Sequence, residues 1–118
     1  MGIEGTEFGT ITIDGVVYEH DVVIRLSGEV LKRKKKLSKR EYGTSHIVSK
    51  QEIKFILEEG SARIVVGTGQ YDSLRLSDGA GKYLAKRKCT VIACPTSEAI
   101  RVFNESEPGT IGLFHVTC

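Results

Sequence analysis

Residues 64–77 read IVVGTGQYDSLRLS, and this stretch decides the fold of the chain. The apolar run at 62–66 shows no alternation, which predicts a strand buried on both faces. Gly67 and Gly69 follow at once. A nucleotide-binding loop would need a further glycine directly before a helix, or a lysine followed by serine or threonine, and neither is present. The two glycines therefore predict a sharp turn of the chain against neighbouring backbone.

A second apolar run, at 90–93, predicts a parallel strand beside the first and also buried on both faces. Parallel strands end at the same edge of a sheet, where open α/β sheets bind ligands. The loops at 67–70 and 94–97 should converge there and leave a crevice. Glu98, in the next helical turn, would repel an anion, so a neutral polar ligand is expected. The predicted ligand-contacting residues are Gly67, Thr68, Gly69, Gln70, Thr96 and Ser97.

The remaining pattern alternates strands and helices. Asp14 and Gly15 predict a hairpin turn between strands at 8–13 and 16–26. Ser49 and Glu52 predict a reciprocal capping box at the start of a helix. Further elements are predicted as a strand at 29–33, helices at 50–57, 78–88 and 96–103, and a strand at 110–116. This order predicts one α/β domain over residues 1–118, with three layers, a central mixed and mostly parallel sheet, and an N-terminal β-hairpin extension.

Composition narrows the functional classes. The 118 residues are 40% hydrophobic and 27% charged, which is typical of a single globular domain. No apolar run reaches the roughly 20 residues of a membrane-spanning helix, and an odd number of cysteines, three, suits a reducing compartment. We therefore expect a cytoplasmic protein without membrane association. Since no Cys-x-x-Cys pair is present, we expect no metal, and since the glycine loop lacks the features of a nucleotide site, we expect no cofactor.

Positive charge is concentrated in one segment. The rest of the chain has 10 basic and 15 acidic residues, although the whole has a net charge of +2. The segment at 34–46 is predicted to be an exposed basic loop, either simply solvated or in contact with a polyanion. Aromatic residues for base stacking are nearly absent from it, so any nucleic-acid binding should be weak and non-specific. The predicted polyanion contacts are Lys32, Arg33, Lys34, Lys35, Lys36, Lys39 and Arg40.

The three histidines are scattered along the sequence. His20 lies between two acidic residues, His46 precedes the Ser49 cap, and His115 falls in the last predicted strand. No neighbouring motif marks any of them as a catalytic base, so each is interpreted as a structural or surface histidine.

Several motifs occur together and in order across nearly the whole chain. They are FGTITIDGVVYEHDVVI at 8–24, HIVSKQEI at 46–53, VVGTGQ at 65–70, PTSEAIRVFNE at 95–105 and LFHVTC at 113–118. In these motifs the chain resembles a family of small α/β proteins that includes the mammalian adipogenesis-associated Mth-type domain protein and a mitochondrial assembly factor for respiratory complex I. The resemblance implies a three-layer fold and roles in protein association, without implying a reaction. We expect no mitochondrial presequence in this chain, so the complex I role is not transferred.

Two functional hypotheses follow. The first is a non-enzymatic interaction or assembly module with a protein partner, because no nucleophile–base pair or metal-ligand set is visible. The alternative is a small-molecule-binding protein or enzyme that uses the crevice between loops 67–70 and 94–97. The sequence does not identify the partner, the ligand or the oligomeric state.

Overall fold

The computed structural model describes residues 2–118 and contains ten strands and four helices within them. The strands are β1 (Ile3–Glu7), β2 (Thr10–Ile13), β3 (Val16–Tyr18), β4 (Val22–Ile24), β5 (Val30–Lys32), β6 (Ile47–Val48), β7 (Arg63–Thr68), β8 (Arg75–Leu76), β9 (Thr90–Cys94) and β10 (Thr110–His115). The helices are α1 (Lys36–Tyr42), α2 (Lys50–Ile56), α3 (Asp78–Lys86) and α4 (Thr96–Asn104). None of the helices in the described residues is long and apolar enough to cross a membrane.

The central sheet has five strands in the order β5-β4-β10-β7-β9. β7 is parallel to both β10 and β9, whereas β4 is antiparallel to β10 and β5. The predicted mixed sheet is therefore confirmed, with its parallel half centred on the apolar strand β7. Ile64 pairs with Val91, so the two apolar runs are adjacent and parallel as predicted.

β7 and β9 differ in their burial. Ile64, Val65 and Val66 are all buried, which confirms a strand covered on both faces. Ala93 is exposed in β9, so the expectation that this strand is also buried on both faces was wrong. The physical reason is position, because β9 is the edge strand of the sheet.

The sheet separates two hydrophobic clusters, which makes the molecule a three-layer structure as predicted. One cluster joins α2 and α3 to the face of the sheet that carries Ile64, Val66 and Leu113. The other joins α4 and the first strands to the opposite face, which carries Val65 and Phe114. Alternate residues of β7 therefore pack against opposite layers of the molecule, because successive side chains of a strand point to opposite faces of the sheet.

The N-terminal hairpin is part of a larger unit. Its turn at Asp14 and Gly15, both with positive φ, is confirmed. β1 adds a third antiparallel strand, and the sequence IEGTE gave no signal for it because only Ile3 is strongly apolar. The predicted strand at 16–26 is interrupted, because β3 remains in this outer sheet while β4 enters the central one.

The segment at 34–46 is not the exposed loop that the sequence predicted. It contains α1, which ends at Gly43 with φ 71°, and Ser38 within that helix is fully buried. Five of the seven residues of α1 are lysine, leucine, arginine or glutamate, which are good helix formers, so local propensity favours the helix despite the charge. Ser49 caps α2 by accepting a hydrogen bond from the Glu52 amide (3.1 Å), which confirms half of the predicted capping box. The Glu52 carboxylate binds Arg33 instead of reaching back.

Candidate functional site

The two loops of the predicted crevice do converge, but the chain itself fills the space between them. The Gly69 amide donates to Thr96 Oγ1 (2.9 Å), and the Thr96 amide donates to the Gly69 carbonyl (3.2 Å). Thr96 Oγ1 in turn donates to the His115 carbonyl (2.6 Å). Thr96 is fully buried, so its hydroxyl is used within the protein and is not presented to a ligand.

The glycines of this loop are required by close packing. A Cβ on Gly67 would lie 2.9 Å from both the Phe114 ring and Thr96 Oγ1. Gly69 has φ +102°, and a Cβ there would collide with the backbone carbonyl group of Cys118. Such contacts force either the backbone or the neighbouring side chains to move. The prediction of a structural role for this loop is therefore confirmed, although Gly67 lies within β7 and the turn itself begins at Gly69.

The other predicted crevice residues point to different surroundings. Gln70 donates from its side chain to Thr6 Oγ1 (3.0 Å), which ties the loop to the outer sheet. Thr68 is buried and donates to Asp72 Oδ1 (2.5 Å), and this hydrogen bond holds the pKa of Asp72 below its ordinary value. Ser97 is exposed on α4. The six residues therefore do not line one common space.

A different cleft, of about 330 Å³, lies where β4, β5 and β10 come together. We call it the histidine cleft because all three histidines of the chain line it. Its polar lining includes His20, Asp21, Lys32, Lys35, His46 and His115. The histidines are scattered along the sequence but meet in this cleft, because the antiparallel pairing of β4 with β10 brings distant segments together.

Asp21 is the centre of this cleft. Its carboxylate accepts hydrogen bonds from His115 Nδ1 (2.8 Å), Arg33 Nη1 (2.9 Å) and the Val116 amide (2.9 Å). Burial alone would raise the pKa of Asp21, but the hydrogen bond and charge interaction with His115, together with the Val116 and Arg33 contacts, lower it overall. Asp21 is thus a carboxylate at neutral pH, and His115 Nδ1 must be the donor.

The same residue orients a second histidine. His20 Nδ1 lies 2.9 Å from the backbone carbonyl of Asp21, and a carbonyl can only accept, so this nitrogen also donates. His46 packs edge-on against His115 with ring centroids 5.3 Å apart. The cleft therefore contains two imidazoles whose Nδ1 atoms are committed to Asp21, and a third close by.

Arg33 stabilises the cleft through buried ion pairs and hydrogen bonds. It forms a two-point ion pair with the fully buried Glu52, with Nε–Oε2 and Nη2–Oε1 distances of 2.6 and 3.1 Å. Ser38 donates to the same carboxylate (2.5 Å), and Arg33 Nη2 donates to the Ser45 carbonyl (2.6 Å). Burial would lower the pKa of Arg33, but Glu52 and Asp21 raise it overall. The prediction of Arg33 as a polyanion contact was wrong, because its side chain is only 1% exposed.

The other six predicted polyanion contacts are exposed, and all of them except Lys32 belong to a larger charged surface. Segments 34–59 and 78–88, which contain α1, α2 and α3, carry 11 of the 17 basic residues but only 5 of the 15 acidic ones. We call their exposed cations the basic helical face. Its members are Lys34, Lys35, Lys36, Lys39, Arg40, Lys50, Lys54, Lys82, Lys86, Arg87 and Lys88. The sequence prediction saw only the first five of these, together with Lys32, because the others are dispersed over two further helices.

Two aromatic rings lie among these cations. Lys34 Nζ lies 5.7 Å from the centroid of the Phe55 ring, and Phe55 is 41% exposed. The half-buried Tyr83 ring has Lys50, Lys54 and Arg87 within 4.8–5.8 Å of its centroid. The helical layer therefore presents aromatic surface surrounded by positive charge.

The described residues show few features of a metal site or of a reactive thiol. Within residues 2–118 no group of three or more His, Cys, Asp or Glu side chains is placed to hold a metal ion. Burial raises the pKa of the Cys89 thiol, and burial together with Glu98 raises that of Cys94. A raised pKa disfavours the reactive thiolate, so neither cysteine has the environment of a nucleophile.

The fold is a small three-layer α/β domain that carries a polar cleft and a basic helical face. The chain belongs to the family described as a protein of unknown function (DUF498/DUF598), whose model matches residues 3–107. It is similar to the conserved hypothetical protein PH1505 from Pyrococcus horikoshii OT3, with 37% identity, full coverage of both chains and a TM-score of 0.93.

Two further structures extend the comparison. A structure described as MT938 is 31% identical over 99% of this chain and 98% of its own, with a TM-score of 0.85. A Mth938-like domain protein from Bordetella pertussis is 18% identical over 98% of this chain and 85% of its own, with a TM-score of 0.62, and it supports the fold alone. The predicted resemblance is therefore confirmed for the family and the Mth938-like fold. These relatives establish no role in adipogenesis or complex I assembly.

Proposed function

We propose that the protein is a non-enzymatic interaction module of the cytoplasm, and that it binds an acidic protein partner through the basic helical face. The observation that carries this proposal is the segregation of charge between the layers. Segments 34–59 and 78–88 have six more basic than acidic residues, whereas the rest of the chain has four more acidic than basic ones. A molecule polarised in this way presents one face to an acidic surface and turns the opposite face away from it.

The aromatic residues of the face favour a protein as the partner. Protein interfaces are enriched in aromatic and arginine side chains at their centre and are polar at their rim. Phe55 and Tyr42 are 41% and 39% exposed, and Lys34 lies over the Phe55 ring. Burying these rings would add apolar contact to the charge attraction, and each desolvated cation–π pair would contribute about 1 kcal/mol or more.

Nucleic acid is a less suitable partner. Single-stranded nucleic acid binds where bases can stack on free aromatic rings. The Tyr83 ring is half-buried and flanked by Lys50, Lys54 and Arg87, so Phe55 and Tyr42 are the exposed rings of the face, too few for a run of stacked bases. The acidic excess outside the helical layer also opposes an extended polyanion. Weak, sequence-independent binding at low salt therefore remains the expectation for RNA or DNA.

Two further considerations support a binding role. The family resemblance drawn from the sequence is to proteins of association and assembly. The alternative, a small-molecule site or enzyme at loops 67–70 and 94–97, loses its physical basis because Thr96 and Gly69 bond to each other across the expected opening.

A titration of isotopically labelled protein with a glutamate-rich peptide tests the location of the surface. At low salt we expect amide shifts confined to α1, α2 and α3. Lys50→Glu with Lys54→Glu should abolish the shifts, whereas Arg75→Glu with Arg101→Glu should not, although both pairs remove the same charge from exposed positions. Shifts centred on α4 or the outer sheet would contradict the proposal.

The same variants separate the two classes of partner. A uridine oligonucleotide of similar charge should bind weakly at low salt and be lost at about 0.15 M salt, where the screening length is about 8 Å. Tight oligonucleotide binding that persists at that salt would contradict an acidic protein as the partner and would favour nucleic acid instead.

A further inference from the structure

The histidine cleft borders the basic helical face at Lys35, but it has the construction of a small-molecule site. We propose that it binds a small oxyanion of the phosphate type, and that protonation of its histidines controls the binding. This inference is independent of the partner proposed above.

The first support is the orientation of the imidazoles. Asp21 accepts from His115 Nδ1 through its side chain and from His20 Nδ1 through its backbone carbonyl. The remaining nitrogen of each ring, Nε2, is not committed to Asp21, so it is the ring atom through which a ligand would bind. At His115 its neighbour is Thr117 Oγ1 at 3.3 Å, a long and weak contact. A neutral imidazole offers a lone pair at Nε2, but a protonated one offers an N–H donor.

The second support is the charge around the cleft. Asp21 already accepts three hydrogen bonds, and Arg33 is shared between Asp21 and the buried Glu52. The charged and titratable groups that face His115 and the cleft from the surrounding elements are Glu19, His20, Asp21, Lys32, Arg33, Lys35 and His46, with Glu52 behind Arg33. With neutral histidines, the three cations in this set balance the three carboxylates.

The balance changes when the histidines take up protons. Histidine is the side chain that usually changes charge between pH 5 and 8. Each protonated ring adds one positive charge to a cleft whose cations and carboxylates otherwise balance. An oxyanion that accepts hydrogen bonds from the Nε2–H groups would therefore bind most tightly when the histidines are protonated.

The third support is the shape of the cleft. Its volume of about 330 Å³ is at the lower end of the range for small-molecule sites. Lys32 and Lys35 are exposed and can follow a bound anion, while His115 is buried and fixed. A rigid donor inside the cleft and mobile cations at its mouth suit a small anion.

Calorimetric titration with sulfate, which keeps its charge over the pH range, tests the inference. We expect sulfate to bind at least about tenfold more tightly at pH 5.5 than at pH 8, because each protonated imidazole adds a favourable charge interaction with the anion. Inorganic phosphate should compete for the same site. The His ε1 proton signals of all three rings should shift as sulfate is added.

Matched variants localise the effect. His20→Gln should reduce the pH dependence, because it removes one of the two rings that Asp21 orients, and Lys35→Ala should weaken binding about threefold, as expected for loss of an exposed charge. Lys39→Ala removes an exposed charge from the neighbouring helix without touching the cleft and should change the affinity less than about twofold. No sulfate binding at pH 5.5, binding independent of pH, or equal effects of the Lys35 and Lys39 substitutions would overturn the inference.

Discussion

Replacing Arg33 by alanine should strongly destabilise the protein, although the sequence places this residue inside a run of surface lysines. The substitution leaves the Glu52 carboxylate, which has no exposed surface, without its ion-pair partner. It also removes one of the three donors to Asp21 and the donor to the Ser45 carbonyl. The change is therefore the loss of one member of a buried charge network and not the removal of a surface charge.

The expected loss is about 3–5 kcal/mol, the usual result of leaving one buried charge uncompensated. For a domain of this size about 4 °C of melting temperature corresponds to each kcal/mol, so the midpoint should fall by about 12–20 °C. Arg33→Lys should recover only part of this, because an ammonium group cannot form the two-point contact with Glu52.

Urea unfolding followed by far-ultraviolet circular dichroism provides the measurement, since the chain has no tryptophan for fluorescence. Lys34→Ala is the matched control, one residue away and exposed, and it should change the free energy of unfolding by less than about 0.5 kcal/mol. A double substitution, Arg33→Met with Glu52→Leu, should lose much less than the sum of the two single changes, because it leaves no unpaired charge between these positions. An Arg33→Ala variant with the stability of the Lys34→Ala control would refute the buried network.

Three further predictions concern stability. Gly69→Ala should lower the free energy of unfolding by about 2 kcal/mol or more, because φ +102° and the Cys118 carbonyl both oppose a Cβ. Gln70→Ala, the control, should lower it by less than about 1 kcal/mol. Equal melting temperatures for the two variants would contradict the packing. Ser49→Ala removes the cap of α2 and should lower the free energy of unfolding in urea by about 1 kcal/mol. An unchanged free energy of unfolding would show that the cap is dispensable. Asp21 has a folded pKa below that of the unfolded chain, near 3.9, so its stabilisation is present above that pH and is lost as the pH falls through the folded value. Asp21→Asn should therefore lower stability at pH 7 and flatten the acid side of the stability profile, and an unchanged profile would contradict the lowered pKa.

The sequence was most informative where local pattern and position in the sheet agree. The apolar run at 64–66, the turn at Asp14 and Gly15, and the Ser49 cap each depend on neighbours within a few residues, and all three are confirmed. β9 was less predictable, because its apolar residues look like those of β7 while its place at the sheet edge depends on the whole topology.

The candidate sites depend on contacts that sequence spacing does not show. Arg33 lies within a basic run, and its burial follows from Glu52, 19 residues away. His115 and Asp21 are 94 residues apart and meet only because β4 pairs with β10. α1 was missed because only Leu37 provides an apolar anchor in its sequence, and the hydrogen bonds of Ser38 to a buried carboxylate were not foreseeable from composition.

The central claim is that the basic helical face carries the partner surface, and comparative affinity capture from the source cells tests it most directly. Tagged wild-type protein, the Lys50→Glu with Lys54→Glu variant, and the Arg75→Glu with Arg101→Glu control would be captured in parallel after nuclease treatment and quantified by mass spectrometry. We predict an acidic protein that is retained by the wild type and the control and lost from the helical-face variant. Retention of the same partner by all three proteins, or its loss from the control alone, would contradict the account.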